Sequence, residues 1–121
     1  MRRNNKNFRE NGKQYEQRAV AFLEKKGYQI LENNFYSHYG EIDIIAKEKE
    51  TVVFVEVKFR SNTKNGTAVE AVTKQKQQRL IKTAQYYLYC HAEYYETPCR
   101  FDVIAFENQT IRHLENAFEV E

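Results

Sequence analysis

Three charged residues lie inside apolar segments of the sequence, and their types suit chemistry on a phosphodiester. Asp43 lies in EIDIIA, and Glu56 and Lys58 lie in TVVFVEVKF, with twelve residues between Asp43 and Glu56. A carboxylate buried there needs a partner charge or a cation, because an unpaired one is costly. Mg²⁺ or Mn²⁺ suits the pair, since a hard cation takes a few carboxylate oxygens and keeps waters.

Lys58 offers useful chemistry in either protonation state. An ammonium stabilises the charge that develops on a phosphorane, and a neutral amine can help to deprotonate water. The alternative interpretation is structural, because Glu-x-Lys is a common sequence. In that case Glu56 and Lys58 mark the exposed end of a strand and pair with each other or with Glu41.

The hydrophobic pattern places these residues on two neighbouring strands. TVVFVEVKF is apolar on both faces through most of its length, which predicts a central strand. The short polar segment KEKE joins it to EIDIIAK, so the two strands should be antiparallel neighbours. Strict alternation puts Glu41 and Asp43 on one face, and the hairpin brings Asp43 close to Glu56.

The other segments predict one α/β domain. A helical pattern runs from about Asn11 to a stop at Gly27 and presents one apolar face. YQILENNF reads as a strand that leads to a turn at residues 37–40. A second helix begins at Thr67, or at residue 74 with Thr73 as its N-cap. CRFDVIAFE is a fourth strand, and TIRHLENAFEV is either a fifth edge strand or an irregular tail.

Length and charge narrow the class of protein. A chain of 121 residues with 41% hydrophobic side chains is sufficient for a single core. We expect residues 1–10 to form a flexible basic arm and residues 11–121 to form the domain. The net charge of +2 does not by itself indicate nucleic-acid binding. Without a recognisable signal peptide or membrane span, the expected location is cytoplasmic.

Basic residues near the third strand and the second helix form a candidate nucleic-acid-binding set: Arg60, Lys74, Lys76 and Arg79. They could contact a phosphate backbone without reading sequence, or they could be a solvated helix face. Lys76 lies on the inward face in the first turn, where the helix dipole disfavours a cation unless an anion is near. A snorkelling lysine is the alternative. The tyrosines of this helix either stack on bases or pack in the core or a dimer.

The sequence resembles the PD-(D/E)xK nuclease superfamily, the restriction-endonuclease-like group. Within it, the resemblance is to the YraN-type uncharacterised bacterial family, and GEID with FVEVKFR is its most specific part. The matching segments cover almost the whole chain: NGKQYEQRAVAFLEKKGYQIL, NNFYSHYGEIDIIA, VVFVEVKFR, AVTKQKQQRLIKTAQYYL and RFDVIAF. The chain is also similar to archaeal-type Holliday junction resolvases.

The resemblance implies a restriction-endonuclease-like domain with a central mixed β-sheet flanked by helices, in the order α-β-β-β-α-β. It implies a metal-dependent endonuclease that cleaves DNA rather than RNA, with branched or damaged DNA as candidate substrates. Asp43, Glu56 and Lys58 would be its catalytic core, with Glu16 as an additional carboxylate. The superfamily's Pro-Asp pair is Ile42-Asp43 here.

Two questions stay open at this point. Glu41 has no counterpart in the resolvase pattern, so it is either a third metal ligand or a structural residue. The function is either catalytic, or that of a nucleic-acid-binding module or protein-interaction adaptor with a vestigial site. A homodimer through the tyrosine-rich helix would fit the adaptor.

Overall fold

The structure is a computed structural model that describes residues 2–60, 72–107 and 110–120, with side chains from residue 12 onward except at residue 60. Its helices and strands are α1 (Arg2–Lys25), β1 (Gln29–Ser37), β2 (Gly40–Glu48), β3 (Thr51–Arg60), α2 (Lys74–Cys90), β4 (Cys99–Glu107) and β5 (Thr110–Phe118). A short 3₁₀ helix at Ala92–Tyr94 precedes β4. In the described part of the chain, neither α-helix carries an apolar stretch long enough to cross a bilayer.

The five strands form one mixed sheet in the order β1-β2-β3-β4-β5. Strands β3 and β4 are parallel, and the other neighbours are antiparallel. The parallel pair needs a crossover between its strands, which the segment that contains α2 supplies. The predicted α/β class, mixed sheet and central position of β3 are confirmed. The tail after β4 is the fifth strand, the first of the two alternatives.

The sheet has a hydrophobic core on each face, which explains why β3 is apolar on both sides. Val52 and Phe54 pack beneath α2, whereas Val53 and Val55 pack beneath α1. Each such side chain contributes roughly 1.5–3 kcal/mol when it is fully buried. The middle of the sheet is therefore a rigid base for the charged residues that follow at the end of β3.

Helix α1 begins at Arg2 rather than near Asn11. The predicted boundary between residues 10 and 11 thus shows no change of secondary structure, and the separate arm stays a prediction. The helix ends as expected at Gly27, whose φ is +96°. The Gly27 N–H donates to the Glu24 carbonyl and the Tyr28 N–H to the Leu23 carbonyl, a Schellman motif.

Helix α2 begins at Lys74, which confirms the second of the two predicted starts. The Thr73 hydroxyl caps the helix by accepting a hydrogen bond from the Lys76 N–H at 3.1 Å. The cap fixes the first turn of α2 above the sheet. The alternative start at Thr67 lies outside the described residues.

A buried ion network joins β4 to β5 around Asp102. Its carboxylate accepts hydrogen bonds from Arg100 Nε at 3.0 Å, His113 Nε2 at 2.7 Å and the Asn116 N–H at 2.9 Å. Lys26 Nζ lies 2.7 Å from His113 Nδ1, which places the imidazole proton on Nε2. Burial raises the pKa of Asp102. The donors together lower it by more than burial raises it, so the pKa lies below its ordinary value. Asp102 is therefore a fully satisfied structural carboxylate.

The two glycines of α1 and its cap give a matched test of the helix end. Gly27→Ala should destabilise the protein by about 1–2 kcal/mol, because a side chain disfavours the left-handed backbone. Gly12→Ala should instead stabilise it by about 0.5–1 kcal/mol, since Gly12 lies inside the helix and a Cβ there meets nothing within 4 Å. Urea denaturation followed by far-ultraviolet circular dichroism measures both. Equal effects of the two substitutions would contradict the capping role of Gly27.

Candidate active site

The predicted carboxylates meet where the pairing of β2 with β3 stops. The last matched pair of this ladder is Ile44 with Val55. Beyond it, the Val57 N–H donates to Asp43 Oδ2 at 2.8 Å, so a side chain takes the place of a backbone carbonyl. This contact places the Asp43 carboxyl group against β3 just beyond the last β2–β3 pair.

The side-chain alternation of β2 fails at this point. Ile42 packs beneath α2, whereas Ile44, two residues later, packs beneath α1. On β1, Asn34 lies opposite Asp43, between the pairs Asn33–Ile44 and Phe35–Ile42, and has a φ of +52°. The strict alternation assumed from the sequence is therefore wrong here, because a left-handed residue and a shortened ladder interrupt it.

Asp43 and Glu56 share one buried site. Glu56 is only 5% exposed, and the two carboxyl groups are within hydrogen-bonding reach of each other. Burial, and next the charge of Glu56, raise the pKa of Asp43 to about 8, although the Val57 N–H opposes the shift. Two carboxylates in such proximity favour one shared proton. The predicted convergence of Asp43 and Glu56 is thus confirmed.

Two lysines contact the same oxygen of Glu56. Lys58 Nζ lies 3.5 Å and Lys76 Nζ lies 3.7 Å from Glu56 Oε2. Glu56 is the nearby anion that a lysine in the first turn of α2 requires. Both lysine side chains remain partly exposed, so each can also reach a ligand from solvent. The site therefore pairs a buried and a partly buried carboxyl group with two accessible ammonium groups.

Glu16 approaches the same region from α1. Burial raises its pKa, a hydrogen bond with Asn34 opposes this, and the negative charges of Glu41 and Glu56 add to the rise. Glu16 therefore faces the sheet. Glu41 accepts a hydrogen bond from the Tyr36 hydroxyl, which raises the pKa of Tyr36.

The carboxyl groups of this site are the candidate ligands for a divalent cation. Among the residues that the structure describes, no group of three or more His, Cys, Asp or Glu side chains is arranged to hold a metal. Asp43 and Glu56 are a pair, and Mg²⁺ is commonly held by one or two carboxylates while waters and substrate phosphates complete its shell. The pair fits such an ion. The assignment of Glu41 as a third ligand stays a prediction.

Two further predicted residues lie on α2. Lys74 and Arg79 are exposed on α2, and Arg79 Cβ would lie 3.6 Å from a Cβ built at Gly40. The side chain of Arg60 lies outside the described residues. Asn34 was missed by the sequence interpretation. The pair of asparagines in ENNF was the available signal, since asparagine tolerates the left-handed region better than most residues.

Comparison with known proteins identifies relatives along most of the chain. The profile described as "Uncharacterised protein family UPF0102" matches residues 15–106. A UPF0102 protein of Lachnoclostridium phytofermentans is 47% identical over 104 residues, which cover 86% of this chain and 88% of the relative. A UPF0102 protein of Thermodesulfovibrio yellowstonii is 48% identical over 107 residues, which cover 88% of this chain and 94% of the relative. A UPF0102 protein of Francisella tularensis is 46% identical over 110 residues, which cover 90% of this chain and 94% of the relative.

The raised pKa of Asp43 predicts a pH-dependent stability in metal-free buffer. Between the ordinary pKa of about 4 and the folded value of about 8, the folded state keeps a proton that the unfolded state has lost. Wild-type stability should therefore fall as the pH rises through this interval. The stability of Asp43→Asn should fall less over the same pH interval, because an amide N–H can still donate to Glu56.

Urea denaturation with EDTA at about pH 5 and about pH 8.5 measures the difference in the free energy of unfolding between wild type and Asp43→Asn. Glu50→Gln is the control, because Glu50 is exposed in the turn at the opposite end of β2 and β3. A difference between wild type and Asp43→Asn that does not change with pH would contradict the shared proton.

Proposed function

The chain belongs to the uncharacterised protein family UPF0102, and from its own site we propose that it is a metal-dependent endonuclease that hydrolyses phosphodiester bonds in DNA. One observation carries the proposal: Asp43 and Glu56 are in mutual contact where the pairing of β2 with β3 stops, with Lys58 against Glu56. Two carboxyl groups and an ammonium at one partly open position suit a phosphodiester, which brings negative charge and needs an activated water.

The two aspartates of this protein lie in opposite electrostatic environments, and this contrast supports a functional rather than a structural role for Asp43. Asp102 is surrounded by donors, and its pKa is lowered. Asp43 has one backbone donor and a second carboxyl group beside it, and its pKa is raised. A carboxyl group held in an unfavourable electrostatic environment is typical of active and metal sites.

Asp43 and Glu56 would hold the divalent ion, with Glu16 and Glu41 adding negative charge from the side of α1. When bound, such an ion supplies Lewis-acid stabilisation of charge on the phosphodiester. Asp43 must lose its shared proton to bind a cation, so binding should be stronger at higher pH.

Lys58 and Lys76 have a separate role in the proposal. Both ammonium groups contact Glu56, and both can turn to a phosphate oxygen while remaining near that carboxylate. Lys58 lies on β3 itself, so it would stabilise charge at the scissile phosphate. Lys76 lies on α2, at the edge of the site, so it would position the strand.

Cleavage assays test the proposal. Wild type is incubated with Mg²⁺ or Mn²⁺ and with branched, flapped, single-stranded and duplex DNA. Asp43→Asn, Glu56→Gln and Lys58→Met should each lower the rate roughly 100-fold or more, because each removes a group that acts at the reacting phosphate. Lys76→Met should mainly weaken DNA binding. Glu50→Gln should cleave like wild type.

Two outcomes would contradict the proposal. The first is the absence of cleavage of every substrate by wild type in either metal. The second is equal cleavage by wild type and Asp43→Asn, which would identify a contaminating nuclease. Metal-independent DNA binding without cleavage would instead support a binding module.

A further inference from the structure

A groove lined by tyrosines lies between the β1–β2 turn and α2. Its volume is about 470 Å³, and its lining residues are Tyr39, Lys82, Gln85, Tyr86 and Tyr89. The turn is held against the helix by a hydrogen bond of 3.3 Å from the Ser37 hydroxyl to the Thr83 hydroxyl. One wall of the groove is thus fixed by α2 and the other by the hairpin that carries Asp43.

The rings of this groove are open to solvent. Tyr89 is 75% exposed, Tyr86 is 44% exposed and Tyr39 is 39% exposed. The ring of His38 lies 4.0 Å from that of Tyr39 and supports it from outside the groove. Large exposed aromatic side chains that cluster in one concavity are typical of a binding surface rather than of an ordinary exterior.

The charge of the groove favours an anionic ligand. Lys82 is the charged residue of the lining, and no Asp or Glu is among the described residues that line it. Arg79, Lys82, Tyr86 and Tyr89 recur at intervals of three or four, so they follow one face of α2. A second copy of this chain is a poorer occupant, because lysine is depleted from the core of protein interfaces.

The basic side of the groove leads to the candidate active site. Lys76 lies one turn before Arg79 on α2 and contacts Glu56. At a rise of about 1.5 Å per residue, Lys76 and Lys82 are roughly 9 Å apart along the helix axis. A nucleic-acid backbone could contact both lysines within a few nucleotides.

We propose that this groove binds the base of an unpaired nucleotide in a DNA strand whose backbone follows Lys82, Arg79 and Lys76 towards Asp43 and Glu56. The base would stack on Tyr89 and Tyr39, and the Gln85 amide could bond its edge. Stacking of bases on aromatic rings tolerates any sequence. The path towards the carboxyl pair rests on the proposed function, whereas the stacking site does not need catalysis.

The binding experiment separates this site from catalysis. Fluorescence anisotropy is measured in EDTA with a labelled single strand and a duplex of equal length, so cleavage does not interfere. Tyr89→Leu and Tyr39→Leu should each weaken single-strand binding on the order of tenfold. Both should leave duplex binding unchanged, because paired bases cannot enter the groove.

Two control variants sharpen the result. Tyr89→Phe keeps the ring and should bind the single strand like wild type. Tyr95→Leu removes a tyrosine that is also 75% exposed but lies outside the groove, and it should have no effect. Circular dichroism and sedimentation of each variant check the fold and the oligomeric state.

Three outcomes would overturn the inference. Two of them are wild-type single-strand affinity in both Tyr89→Leu and Tyr39→Leu, and the same loss of affinity in Tyr95→Leu. A change of oligomeric state in Tyr89→Leu with unaltered DNA binding would also overturn it and would assign the groove to a contact between copies. Ring-dependent binding in a protein that cleaves no substrate would support the groove while the proposed function fails.

Discussion

The hydrogen bond from the Val57 N–H to Asp43 Oδ2 is the contact on which the site depends. It exists because the ladder between β2 and β3 ends at Ile44 and Val55, which leaves the Val57 donor for a side chain. The hydrophobic clusters on both faces of the sheet then hold β2 and β3 at a fixed separation where their pairing stops. Asp43 is thereby kept against Glu56 despite the repulsion between two carboxylates.

The interruption of the β2–β3 ladder places charges from the two faces of the sheet at one position. Lys58 and Lys76 approach Glu56 on the side of α2, whereas Glu16 approaches from α1. A complete ladder between β2 and β3 would separate the two lysines from Glu16 by the thickness of the sheet. The left-handed backbone of Asn34 and the hydrogen bond between Asn34 and Glu16 support the break from β1.

The sequence was informative where periodicity and burial govern the structure, and less so where local backbone geometry does. The apolar run before Glu56 predicted a central strand, and the polar hairpin predicted that Asp43 and Glu56 meet. Thr73 offered the correct cap but competed with Thr67, since both residues are good N-caps. The break at Asp43 was missed because period-2 alternation assumes an unbroken ladder, although the asparagines of ENNF on the facing strand were a local signal for it.

Proton release on metal binding tests the central claim most directly, namely that Asp43 and Glu56 share a proton where a divalent cation would bind. Calorimetric titration with Mn²⁺ near pH 7, repeated in two buffers of different ionisation enthalpy, counts the protons released. The account predicts release of about one proton for each Mn²⁺ bound by wild type, and weaker binding without release in Asp43→Asn. Binding without proton release, or equal binding by both proteins, would contradict it.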